Sequence, residues 1–243
     1  MFCLGRVLKK IIFLLYLCYS LSALANDCGK WFDNLNSPLC TDAKYIFLAG
    51  SALTAGVYFS NKDINRQVRD QALKKKRLGV GARIGEIIGW GYLNGAYILG
   101  TFIAGGEKNK KRSEFMLEAT GYTVLSTVLL KESIKEQRPD GSNEFDSFPS
   151  GHASAAFAFA SVVTANHSML WGGLAHLTAA FIGYSRIEKD RHYLHDVIFG
   201  ATLGMSYGWG IYLNHKKYNK PYWFAVAPTN NLDGMQIAFK GYF

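Results

Sequence analysis

Charge is scarce in this sequence: Asp, Glu, Lys and Arg make up 19% of its 243 residues, against 49% hydrophobic residues. So apolar a composition excludes a disordered chain and leaves material for a full core. Mean hydropathy is +0.01, low for a chain made mostly of membrane spans and high for a very polar soluble one. Internal repeats and low-complexity tracts are missing, and the length suits one ordinary domain rather than two. Acidic charge is the scarcer sign, 18 residues to 27 basic ones, so the net charge is +9 and the isoelectric point near 9.3. That balance suits an anionic partner such as nucleic acid, an anionic lipid surface or a phosphorylated substrate. Taken alone it equally describes a solvated basic face.

Only four cysteines occur. Cys3 and Cys18 fall in a segment with the marks of an export signal: Arg6, Lys9 and Lys10, an apolar run over 11–21, then Ala23-Leu24-Ala25, the small-x-small pattern read by signal peptidase. Residues 1–25 are expected to be removed. The run is short for a membrane span, and a retained anchor is the other reading. Cys28 and Cys40 stay, separated by the loop-like residues Gly29, Asn34, Asn36, Ser37 and Pro38. In an exported protein such a pair reads as a disulfide. Export with few cysteines points to a bacterial periplasm.

Residues 44–60, 85–104 and 114–135 read as apolar helices. The stretch 61–84 is polar and basic, and helix-compatible up to Gly79 and Gly81. A basic turn is expected at Lys108, Lys110, Lys111 and Arg112, and a loop over 140–149. Residues 151–165, 169–186 and 192–213 form three further helix candidates. In the tail, 222–227 and 235–243 look extended around Asp233-Gly234, a hairpin signal. The expected fold is mainly α: a helical bundle of about six core helices over 44–213, preceded by an arm (26–43) and followed by a β-like tail (214–243) with a short C-terminal hairpin.

Three motifs carry chemistry. The first runs from Lys131 to Arg138-Pro139. Two turns of helix put Lys131 and Arg138 on one face, and Pro139 ends the helix there. Two cations at a helix end suit an anion with several oxygens; by composition alone, a solvated basic face explains them as well. Lys135 is the alternative cation. The second is Phe148-Pro-Ser-Gly-His152. Here a loop enters a helix whose free N–H groups bind an anion. Gly151 permits close approach, Ser150 donates a hydroxyl, and His152 stands where it could protonate a leaving oxygen. Simple N-capping by Ser150 is the plainer account. The third runs from Ser185-Arg186 to His192 and Asp196. Spaced i,i+4 on a helix, the carboxylate can hold one imidazole nitrogen and leave the other free to attack. Arg186 adds a third cation. His195 is expected to point away as a bystander.

Together the motifs supply three cations, an anion nest, two histidines and a carboxylate, the parts for attack on phosphorus. No cluster of carboxylate metal ligands accompanies them, so the basic side chains would do a metal's work, and no metal or other cofactor is expected. The trio Lys-x6-Arg-Pro, Pro-Ser-Gly-His and Ser-Arg-x5-His-x3-Asp resembles the signature of the type-2 phosphatidic acid phosphatase superfamily, over roughly residues 114–213. That superfamily includes membrane lipid phosphatases, bacterial class A acid phosphatases and vanadium haloperoxidases. The resemblance implies that Lys131, Arg138, Ser150, Gly151 and Arg186 hold phosphate, His192 attacks, Asp196 orients it, and His152 protonates the leaving group. The implied activity is a metal-independent phosphatase with a phosphohistidine intermediate. Its expected partners are a phosphorylated lipid or a small phosphate ester and a membrane surface, with no nucleic acid.

The branch is less determined. Six apolar segments follow the signal, the number usual for lipid phosphatases. If the signal leaves, however, successive spans would place Lys131 and Arg138 inside. An outside site would instead put basic 61–84 outside, against the positive-inside tendency. Some segments are therefore expected not to span, in keeping with Glu86, Asn94, Glu118 and His176 within them. The reading is an exported enzyme, periplasmic or membrane-associated with a periplasmic site, acting on a lipid phosphate or polyprenyl diphosphate. A soluble acid phosphatase is the alternative, and a haloperoxidase or a non-catalytic phospholipid-binding protein stand further back.

Overall fold

The computed structural model describes residues 33–60, 63–218, 223–228 and 235–240. Among them are nine helices: α1 (Ser37–Cys40), α2 (Lys44–Phe59), α3 (Asp63–Lys75), α4 (Val80–Ile88), α5 (Tyr92–Ala104), α6 (Glu107–Ile134), α7 (Gly151–Asn166), α8 (Met169–Glu188) and α9 (Leu194–Tyr218). The fold is mainly α, as expected. The C-terminal hairpin is not supported: its turn, 229–234, lies outside the described residues, as do the side chains of both arms. The export signal lies outside them too. Cys40 is disulfide-bonded, and Cys28, the partner expected for it, lies outside the described residues.

The centre of the bundle is the contact between α7 and α9. Helix α7 is built from Ala153, Ala155, Ala156, Ala158 and Ala160, strong helix formers with almost no side chain. Facing it, α9 carries Gly200 and Gly204 one turn apart. A Cβ on Gly204 would meet the Ser154 carbonyl oxygen, and would lie 2.6 Å from the Ala158 nitrogen. On Gly200 it would lie 2.6 Å from the Ser150 carbonyl. The two backbones therefore touch, and the start of α7 is held against the first turns of α9. Phe47, Met116, Val162, Ile182, Phe199, Leu203 and Ile211 fill the surrounding core.

Three segments differ from the sequence reading. Residues 214–218, expected to open a β-like tail, continue α9. The apolar stretch 85–104 is two helices, α4 and α5, bent by 50°. The break falls at Gly89–Gly91, where Gly91 takes φ +87°, a left-handed conformation open to glycine. The basic turn expected at 108–112 is instead the first turn and a half of α6. The polar residues inside apolar segments all bond within the bundle. Asn94 donates to Thr120 Oγ1 (2.8 Å) and to the Ala155 carbonyl (3.1 Å), His176 contacts the Gly172 carbonyl, and Glu118 pairs with His215 at 2.8 Å. No single described helix is long and apolar enough to cross a membrane, although bent α4–α5 passes that test as a pair.

Candidate active site

The C-terminal end of α6, the N-terminal ends of α7 and α9, and the C-terminal end of α8 meet at one end of the bundle. Lys131 is on the last turn of α6, which closes at Lys135 in a left-handed conformation (φ +49°). The chain then turns, and Arg138 follows outside the helix. The loop 140–149 returns over both cations. Arg138 donates from Nε to Asp146 Oδ1 (2.7 Å) and from Nη2 to Asp146 Oδ2 (2.9 Å). Glu144 also lies 2.8 Å from Arg138 Nε. Lys131 Nζ donates to the Asp146 carbonyl and stands 3.7 Å from its carboxylate. Burial lowers the Lys131 pKa, with Asp146 opposing that shift.

Ser150 takes the N-cap position of α7 but makes no cap bond, and its buried hydroxyl has no hydrogen-bond partner among the described residues. The N-capping account is therefore not what the geometry shows. A Cβ on Gly151 would find only ordinary contact, with Thr127 at 3.8 Å, so internal packing does not demand the glycine. His152 Nε2 lies 3.1 Å from the Glu86 carbonyl. A carbonyl only accepts, so Nε2 carries the proton and Nδ1 is the nitrogen left to exchange one. Burial, then Arg186 and His192, lower the His152 pKa to about 3.

Arg186 ends α8, almost fully buried, with its Nη1 3.3 Å from Glu86 Oε1. Its Nε and Nη1 have no hydrogen-bond partner among the described residues. His192 precedes α9 rather than sharing it with Asp196, which sits in that helix's first turn. The two still meet: Nδ1 of His192 is 3.5 Å from Asp196 Oδ2, and both side chains are buried. This contact is long for a hydrogen bond. Burial lowers the His192 pKa to about 4, with Asp196 opposing. His192 is therefore a neutral imidazole near pH 7, whose Nε2 faces away from the carboxylate.

All three motifs act on one another electrostatically. His192 feels Asp196, Lys131 and Arg138, and His152 feels Arg186, His192 and Arg138. The candidate residues of the three motifs, Lys135 apart, lie in this assembly. Sequence reasoning missed the acidic partners Glu86, Glu144 and Asp146, and it missed Ser147. Ser147 donates from Oγ to Asp196 Oδ2 at 2.6 Å, beside the Tyr193 N–H at 2.9 Å. It also misplaced His195, which is buried against Asp196 at 3.0 Å. Glu86 did leave a signal, as a carboxylate within an apolar run.

Residues 115–220 match the model of the PAP2 superfamily. This segment carries the PAP2 superfamily pattern, over less than half of the chain. It spans all three motifs and the helices that carry them. A relative, the lipid A 1-phosphatase of Porphyromonas gingivalis, is 33% identical over 108 residues, which cover 43% of this chain and 24% of that protein. The chain thus spans about a quarter of the length of the curated relative it matches. The fold is similar to that of Aquifex aeolicus LpxE, with a TM-score of 0.56 and 24% identity over 62% of this chain and 95% of that one. It is also similar to the first transmembrane PAP2 type phosphatidylglycerolphosphate phosphatase from Bacillus subtilis, with a TM-score of 0.57 and 22% identity over 72% and 96% of the two chains. These PAP2 likenesses to solved structures speak to the fold.

Proposed function

We propose that this chain is a metal-independent lipid phosphate phosphatase acting through a phosphohistidine, at the outer face of a membrane. The observation that carries the reading is the neutral, buried His192 with Asp196 behind it and Lys131, Arg138 and Arg186 around it. Phosphate would bind to the three cations, the Ser150 hydroxyl and the backbone N–H groups opening α7. His192 Nε2 attacks phosphorus, the bond to the leaving oxygen breaks, and His152 gives that oxygen a proton. Water then attacks the phosphohistidine, returning its proton to His152 and freeing inorganic phosphate and the imidazole.

A lipid leaving group fits the surroundings of His152. Trp90 crosses its ring edge-on at 5.3 Å and is 71% exposed, and Ile87 on the same segment is exposed too. The names of the similar proteins, a lipid A 1-phosphatase and a phosphatidylglycerolphosphate phosphatase, point to the same substrate class. The test is phosphate release from a long-chain lipid phosphate in mixed micelles with EDTA present, followed by rapid denaturation to trap label on His192. Release and label are expected, and vanadate should inhibit by mimicking the transition state. A strict need for magnesium or zinc would refute the metal-free reading. Turnover of short esters alone would move the assignment to a non-specific acid phosphatase.

A further inference from the structure

His195 is an unassigned position of the third motif, between His192 and Asp196, yet the structure builds a site around it. Its Nε2 stands 3.0 Å from Asp196 Oδ1 and 3.2 Å from Glu136 Oε2. Its Nδ1 has no hydrogen-bond partner among the described residues, so its polar contacts run through one nitrogen. The backbone N–H donates to Asn65 Oδ1 on α3 at 3.2 Å. Tyr193 and Phe148 stack on the ring at 5.5 and 5.9 Å, and Tyr58 meets it edge-on at 5.0 Å. Two carboxylates converging on one buried nitrogen repel unless a positive charge lies between them. Aromatic faces favour a cation over a neutral ring.

We propose that His195 is a positioning residue, an imidazolium clamped between Glu136 and Asp196 that shares the Asp196 charge and so leaves His192 neutral and ready to attack. Asp196 faces both histidines, His195 through Oδ1 and His192 through Oδ2. A carboxylate within about 4–6 Å of a histidine raises its pKa by about 1–3 units. Unshared, Asp196 would push His192 toward the protonated form, which cannot attack. With His195 charged, the trio of Glu136, His195 and Asp196 carries one net negative charge instead of two. The His195 pKa, raised to about 10 by the two carboxylates against its burial, agrees with a charged ring at neutral pH. Burial is the largest influence lowering the His192 pKa, Lys131 from α6 and Arg138 lower it further, and His192 also interacts with Asp146 and His152. Tyr58 and Tyr193 are the titratable rings packed on His195, and the Tyr193 pKa is raised by burial and by Glu136.

The catalytic consequence rests on the proposed phosphohistidine reading; the charge state does not. Two arms separate them. In the first, imidazole nitrogen spectra of the full chain are titrated, with His195 assigned by its loss in His195→Gln. His195 should read as charged and His192 as neutral at pH 7, and His195→Gln should raise the His192 midpoint by about one unit or more. A neutral His195, an unmoved His192, or a His195 signal that shifts on adding zinc would overturn the proposal. The zinc outcome matters because Glu136, His195 and Asp196 place their donor atoms within 4.8 Å of one another. The second arm follows kcat/KM against pH. His195→Gln should move the acid limb up with the His192 midpoint. Glu136→Gln should not, because it removes negative charge. The double variant restores one net negative charge and should bring the limb back. A double variant as shifted as His195→Gln alone would mean a merely structural role. Should the first arm hold while every variant and the parent lack phosphatase turnover, the functional reading fails and the charged clamp stands.

Discussion

Replacing Gly204 by alanine tests the contact that brings the second and third motifs together. The added Cβ would sit 2.6 Å from the Ala158 nitrogen and 3.0 Å from the Phe157 carbonyl carbon, and would press on the Ser154 carbonyl. Ordinary carbon contacts lie at about 3.5–4.0 Å, so the helices must part by about 1 Å. All three neighbours are backbone atoms, which cannot rotate aside. Overpacking of this kind costs about 1–3 kcal/mol, occasionally more. For a chain of this size that corresponds to about 2–4 °C of Tm per kcal/mol, so a loss of about 2–12 °C is expected. Function should fall further than stability. Ser150 and His152 open α7 and Asp196 opens α9, so parting the helices separates the proposed phosphate cradle from the group proposed to orient His192. A misplacement of about 1 Å costs on the order of 100-fold in rate. The assay is thermal unfolding together with kcat/KM at a temperature where both proteins are folded. Gly121→Ala is the control: it lies within α6 with nothing within 4 Å of the added Cβ, and should be neutral or slightly stabilising. If Gly204→Ala matches that control in both measurements, the α7–α9 contact does not set the site.

His192→Ala should abolish turnover, whereas His152→Ala should lose far more rate on an alkyl or lipid phosphate than on nitrophenyl phosphate, whose leaving group needs no proton; equal losses on both would remove His152 as the general acid. Asp146→Asn should tighten inhibition by inorganic phosphate about fivefold, since a half-exposed ion pair worth roughly 1 kcal/mol no longer competes for Arg138. Weaker inhibition would mean that Asp146 positions the cations instead. Stability should fall on acidification from pH 6.5 toward 4, because His192 and His152 are held below 6.5 in the fold and the unfolded chain then binds more protons. His192→Gln should flatten that fall in Tm, and an unchanged slope would show that His192 is not buried neutral.

That the motif residues would gather at one place was legible because local spacing groups them: Lys131 with Arg138, Ser150 with His152, Arg186 with His192 and Asp196. What spacing does not carry is the partner from elsewhere in the chain. Glu86 is about a hundred residues from Arg186 in sequence, and only the bend at Gly89–Gly91 lays α4 across the site. His195 looked like a bystander because an ideal helix points neighbours apart. But His192 lies before the helix starts, so the helical wheel that separated them does not apply. The break inside 85–104 was hidden for a related reason. Glycines within apolar runs are tolerated in helices, and nothing local shows which one adopts a positive φ. The tie of the arm to the bundle, through Asn34 to Glu118 and Leu35 to Tyr207, depends on contacts across the whole chain and has no local signal.

Each cation in the site is already matched to a carboxylate: Arg138 and Lys131 to Asp146, and Arg186 to Glu86. On the proposed reading, substrate phosphate must therefore compete with these partners, and only a group of higher charge or better fit displaces them. The same charges bear on His152, whose neutral form is favoured by burial, Arg186 and His192. A general acid needs its proton, and His152 would lack one at neutral pH until something offsets Arg186. Phosphate bound against Arg186 supplies that negative charge, so His152 should gain its proton together with the substrate rather than before it. The order has a kinetic signature. A group protonated only in the complex belongs to the pH profile of kcat, while His192, neutral beforehand, governs the acid limb of kcat/KM. Measuring the two profiles separately on one lipid phosphate distinguishes the histidines without mutating either, and an identical acid limb in both would show that His152 does not wait for substrate.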